Sequence, residues 1–157
     1  MRQVHQHSIR LRFCWQSREL KTKKLKAKLK NRHSAIKLAL LDQTIISGIG
    51  NIYASEALYF SGISPRREAS GISIKQLSSL IDAVRQVLKK AIAAGGSTLH
   101  DYRQPNGNTG YFQFQHAVYG KKGQKCPLCV YPSKKCGGIR QIIQGGRSTY
   151  YCPCLQK

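Results

Sequence analysis

Five of the chain's six cysteines, Cys126, Cys129, Cys136, Cys152 and Cys154, lie within its last 32 residues, and only Cys14 stands apart. In a chain without an apolar signal-peptide core, such clustering favours metal ligation over disulfides. Cys126-x2-Cys129 has the spacing at which two thiolates chelate one ion from a tight turn. The closing pair, Cys152-Pro153-Cys154, is one residue shorter than a second such knuckle, and 22 residues separate the pairs. The pattern predicts one zinc ion held by Cys126, Cys129, Cys152 and Cys154, with Cys136 able to replace a member of the first pair. The ion's expected role is structural, because a module this small buries too little apolar surface to fold without a staple.

Two further motifs suit a phosphate. Gly48-Ile49-Gly50-Asn51 forms a glycine-kinked corner between two helical stretches. Asn51 is a favourable N-cap, and the helix start behind it offers free N–H groups and the positive end of the dipole. Gly145-Gly146-Arg147 lies between the cysteine pairs. An arginine at a hairpin tip can clamp a phosphate with its planar fork, although spacing alone fits a solvent-exposed turn arginine equally well. The polar loop Asn106, Gly107, Asn108, Thr109, Gly110 leads into Tyr111 and Phe112. These aromatics suit base stacking or core packing. His33, His100 and His116 have no partner at metal or triad spacing and read as surface or phosphate-adjacent residues.

The elements that must carry these residues follow from periodicity. Ile36 to Ile46 is a dense apolar stretch, and a second helical stretch begins at Asn51 and ends near Gly62. From Ile74 to Ala94, Leu77, Leu80, Ile81, Val84, Val87, Leu88, Ala91 and Ile92 recur at helical steps on one face. Ser73 with Gln76 matches a capping box, and Gly95-Gly96 supplies a stop. The alternations Ile139, Gln141, Ile143 and Ser148, Tyr150, Cys152 predict two strands of a hairpin. Residues 1–34 are basic and poorly patterned, and fit a solvated charged face or tail and phosphate contact equally well.

Lysine and arginine total 27 against 6 acids, a net charge of +21. That excess calls for a polyanionic partner. No apolar run approaches the roughly 20 residues a spanning helix needs, so nucleic acid is favoured over a membrane. An arginine-rich start (Arg2, Arg10, Arg12, Arg18) is also compatible with a transit peptide.

Taken in order, AIKLALLDQTIISGIGNIYASEALYFSGISPRREA, AIAAGGSTLHDYRQPNGNTGYFQ, VYGKKGQKCPLC and GGRSTYYCP resemble the C-terminal half of the formamidopyrimidine-DNA glycosylases, relatives of the endonuclease VIII proteins. The resemblance implies a mainly α fold: residues 1–25 unmatched, 26–116 a helix–two-turn–helix DNA-binding domain with a lesion-capping loop, and 117–157 a small β-hairpin zinc finger. It implies that Asn51 and Arg147 hold the DNA backbone at the lesion and that Lys37 lies near the phosphates. Residues 106–112 would cover a flipped oxidised purine, and the zinc would be structural.

The family's nucleophile is an N-terminal proline assisted by a glutamate. This chain starts Met1-Arg2-Gln3, and its first proline is Pro65. The segment VYPSKK after Cys129 and the short C-x-C pair are further departures. The expectation is a monomeric, cytoplasmic, nucleoid-associated bacterial protein that binds double-stranded DNA, including abasic or oxidised sites, as part of a base-excision-repair glycosylase and AP lyase, without catalysis by this chain. The alternatives are an active glycosylase whose N-terminal half is supplied separately, and a basic zinc-ribbon protein that binds RNA.

Overall fold

A computed structural model describes residues 18–94, 116–130 and 133–157. The helices are α1 (Arg18–Leu29), α2 (Ile36–Leu41), α3 (Asn51–Phe60), α4 (Ile74–Ala93) and the single turn α5 (Ser133–Cys136). Strands β1 (Arg140–Gln144) and β2 (Arg147–Tyr151) form one antiparallel hairpin.

α4 forms as its sequence dictates. Ser73 Oγ accepts the Gln76 N–H at 3.2 Å, and Gln76 Oε1 accepts the Ser73 N–H at 3.1 Å, which completes the capping box. The predicted apolar face is buried except at Ile92, which is 67% exposed. The glycine stop at 95–96 and the loop 106–112 lie outside the described residues.

Residues 1–17 lie outside the described residues, and from residue 18 on α1 corrects the reading of a tail. Thr22, Leu25 and Leu29 recur at helical steps and are buried. Two of the lysines between them, Lys26 and Lys28, cap carbonyls instead of facing only water. Lys26 Nζ donates to the carbonyls of Ser70 (2.9 Å) and Ile72 (2.8 Å), and Lys28 Nζ to those of Thr44 (2.7 Å) and Ile45 (3.1 Å). These bonds tie α1 to the segments at 44–45 and 70–72, and with Leu25 and Leu29 buried α1 closes one side of the helical core.

Two cores result. One lies among α1 to α4 and includes Leu29, Ile36, Leu40, Leu58, Ile72, Leu77 and Leu80. The other is small: Tyr59, Val118, Cys126, Cys136, Ile139 and Cys152. α3 serves both, which is why it is apolar nearly all round.

At the hairpin turn Gly145 (φ 54°) and Gly146 (φ 72°) are both left-handed, as a two-residue turn matched to strand twist requires. A Cβ on Gly145 would approach Leu38 Cδ2 to 2.9 Å, so the turn rests on α2. Of the alternating residues, Ile139 and Cys152, which flank the strands, are buried, and Ser148 and Tyr150 are half-buried. β2 buries Thr149 and Tyr151, whereas Ile143 in β1 is 65% exposed. β2 packs on α3, and that contact selects the buried face.

Candidate nucleic-acid interface

The corner before α3 is braced by its own side chains. Gln43 Oε1 accepts the Gly48 N–H at 2.9 Å, and Gln43 Nε2 donates to the carbonyls of Leu41 and Ile49, each at 3.2 Å. Gly48 sits at φ 87°, a conformation that glycine adopts without a Cβ penalty. The N-cap is Gly50, not Asn51 as the sequence suggested. Asn51 is the first helical residue, and its side chain is committed elsewhere. Its Nδ2 donates to Tyr119 Oη and to the Ser148 carbonyl, both at 3.0 Å.

Lys37 enters from α2 and is fully buried. Its Nζ donates to Asn51 Oδ1 at 2.6 Å, to the Ser148 carbonyl at 3.2 Å and to Thr149 Oγ1. An ammonium has three protons, and here three oxygens take them. Burial first, and then the nearby positive charge of Arg147, lower the Lys37 pKa to about 8. Arg147 itself is exposed at the start of β2, directly after the glycine turn. The structure therefore brings Lys37, Asn51 and Arg147 together from α2, α3 and β2. Two like charges held close are a cost that a docked anion would relieve.

Sequence reasoning missed Glu56 and Tyr59, which fasten the second module to α3. The buried Glu56 carboxylate accepts three backbone N–H groups, from Ala117 (2.7 Å), Val118 (2.9 Å) and Tyr119 (2.9 Å). Tyr59 Oη accepts the Leu128 N–H at 3.0 Å and lies 3.2 Å from Cys126 Sγ. A signal for Glu56 existed: it is an acid within the apolar run IYASEALYF of a chain with only 6 acids. His116 is buried, not superficial as expected. Burial lowers its pKa, and the neighbouring Glu56 opposes that shift. His33 is on the surface as expected, but it pairs with Glu68 Oε1 at 2.9 Å.

The five clustered cysteines converge. Cys126, Cys129 and Cys152 have sulfurs within 4.8 Å of one another, and so do Cys129, Cys136 and Cys154. A tetrahedral ion with metal–sulfur bonds of about 2.3 Å places its sulfurs about 3.8 Å apart. The cluster fits such an ion with little adjustment. Burial pushes the Cys152 thiol well up, so a cation is needed to hold it as thiolate. Of the predicted ligands, the structure groups Cys126, Cys129 and Cys152, and places Cys154 beside Cys129 and Cys136.

Among the described residues no helix is long and apolar enough to cross a membrane.

Residues 16–103 match the formamidopyrimidine-DNA glycosylase H2TH domain. The match begins ahead of residue 26 and takes in α1, in keeping with that helix's place in the core. A formamidopyrimidine-DNA glycosylase from Rhodospirillum centenum is 49% identical over 133 residues, which cover 85% of this chain and 46% of the relative. One from Ruegeria sp. is 51% identical over 130 residues, with 82% and 44% covered. The chain thus spans about half the length of the curated relatives it matches. Among solved structures, the MutM (Fpg) protein from Thermus thermophilus superposes with a TM-score of 0.76 at 41% identity, covering 86% of this chain and 49% of that one. The Lactococcus lactis Fpg complex with DNA containing an abasic site superposes with a TM-score of 0.75 at 36% identity, covering 87% and 48%.

Proposed function

This chain belongs to the formamidopyrimidine-DNA glycosylase family by its H2TH domain, and from that premise we propose that it is the DNA-gripping part of a base-excision-repair glycosylase. One observation carries the reading. A buried ammonium, the Asn51 amide and an exposed guanidinium meet where a glycine-kinked helix corner touches a hairpin tip. That is a site for a sugar-phosphate chain.

The roles divide by exposure. Arg147, exposed at the tip, contacts phosphate directly. Lys37 has given its protons to protein oxygens, so it supplies field and holds Asn51 and Ser148–Thr149 in place. The thiol cluster holds one zinc ion, and the ion's contribution is to pin the hairpin that presents Arg147. Lys37 is buried with its amine hydrogen-bonded to three oxygens, and neither Asn51 nor Arg147 is a nucleophile, so base release and AP-lyase cleavage need groups outside this trio.

The test is a duplex carrying an abasic site, with and without borohydride. The full chain should bind it without forming a covalent adduct, and should prefer it to structured RNA. A strong site-specific adduct would place the nucleophile in this chain. Failure to bind any duplex at low salt would end the reading.

Lys37 adds a pH dependence. Its free-state pKa of about 8 means the site loses a positive charge as pH rises from about 7 to about 9. Duplex affinity should fall over that range, by up to about tenfold per pH unit above the pKa, and a Lys37→Met chain should respond less steeply. The fold should respond with the opposite sign. A lysine whose native pKa is depressed below 10.5 destabilises the native state while charged, so stability should rise as pH climbs from about 8 towards 10.5. Affinity that does not change between these pH values would remove Lys37 from the site.

A further inference from the structure

The cluster holds five thiols, one more than a tetrahedral zinc ion accepts. Geometry decides which is in excess. Cys126, Cys129 and Cys152 form one close group, and a fourth ligand must reach its members. Cys136 Sγ lies 3.4 Å from Cys152 Sγ and within 4.8 Å of Cys129 Sγ. Cys154 shares the 4.8 Å limit with Cys129, but its other close partner is Cys136 itself. Cys136 is buried like Cys126 and Cys152, whereas Cys154, like Cys129, is only partly buried.

The backbone shows that the position of Cys136 is built in. The segment after Cys136 pairs with the segment before Cys126. The Ile139 N–H donates to the Gln124 carbonyl at 2.9 Å, and the Gly123 N–H to the Ile139 carbonyl at 2.8 Å. Gly138, at φ 74°, permits that approach; a Cβ there would lie 2.7 Å from the Gln124 carbonyl oxygen. Two short segments are thus clasped so that each presents a buried cysteine to the same space. Cys136 and Cys154 both share the second three-thiol group with Cys129, but it is Cys136 whose sulfur also lies against Cys152 of the first group.

Building on the proposed zinc site, we propose that Cys136 is a metal ligand, completing a set of Cys126, Cys129, Cys136 and Cys152, with Cys154 a fifth thiol held beside the ion. The thiol-bearing segment between the two expected pairs then makes good the shortened closing pair.

Cobalt substitution of the full chain reads this out without reference to activity. The wild-type chain should take up one Co²⁺ with the visible and charge-transfer bands of four thiolates. Cys154→Ser should keep those bands and the affinity. Cys136→Ser should fall to a three-thiolate spectrum, with affinity about a hundredfold lower. Cys136→His, which offers a nitrogen, should restore tetrahedral binding with one thiolate fewer, and it covers the case in which the serine variant does not fold. Loss of a thiolate in Cys154→Ser, or its retention in Cys136→Ser, overturns the assignment. A wild-type chain without any cobalt–thiolate band would instead sink the zinc reading itself, and a chain that binds cobalt but not DNA would leave the ligand assignment standing.

Discussion

Chelating the metal from the full chain is expected to melt residues 117–157, leave the α1–α4 core folded, and lower duplex affinity by about a hundredfold or more. The asymmetry follows from the two cores. The helical one is aliphatic and continuous. The other has six buried members, three of them cysteines. Without an ion, those cysteines are thiols packed against Tyr59, Val118 and Ile139, too little apolar surface to offset the entropy of ordering the module. Structural zinc contributes on the order of 10 kcal/mol to such small modules at neutral pH. Its loss would free β2, taking the Ser148 carbonyl and Thr149 from Lys37, and Arg147 from the corner. Amide exchange before and after chelation checks this, with re-addition of zinc restoring both protection and binding. A tail that keeps its protection when stripped of metal would refute it.

Replacing Lys37 by Met should damage stability and DNA binding together. Methionine fits the volume but donates nothing. Asn51 Oδ1, Thr149 Oγ1 and the Ser148 carbonyl would each lose a donor. Asn51 Nδ2 would still reach Ser148, which limits the damage. An unmet buried acceptor costs about 1–3 kcal/mol, and removing a charge that Arg147 repels returns part of it. A net loss of about 2 kcal/mol is expected in denaturant titration, with affinity down at least tenfold. Arg147→Ala provides the contrast: being exposed at the tip, it should weaken DNA binding and leave stability nearly unchanged. Equal stability of Lys37→Met and wild type would mean that the amine does not fasten the hairpin to α3.

Legibility in the sequence follows the range of the interactions. α4 is readable end to end because its stripe and its Ser73–Gln76 box are local features. The hairpin turn is readable from two glycines. α1 is not, because Thr22, Leu25 and Leu29 are its buried positions among the described side chains, and the acceptors of Lys26 and Lys28, Ser70, Ile72, Thr44 and Ile45, come from later in the chain. Asn51 stands out in the sequence for the wrong local reason. Its neighbours suggest a cap, whereas its partners are Tyr119 and Ser148, 68 and 97 residues away. Glu56 and Tyr59 escape for the same cause. The cysteine count predicts a metal centre, but spacing does not show that Cys136 is clasped beside Cys152.

The grip on the sugar-phosphate chain is tested most directly by titrating a fluorescent duplex with the full chain across a range of salt. If about five phosphates are neutralised, log K should fall against log[salt] with a slope of roughly −4 to −5, and Arg147→Ala should make it shallower by about one. A salt-independent affinity, or a slope that Arg147→Ala leaves unchanged, would contradict a backbone contact at this corner.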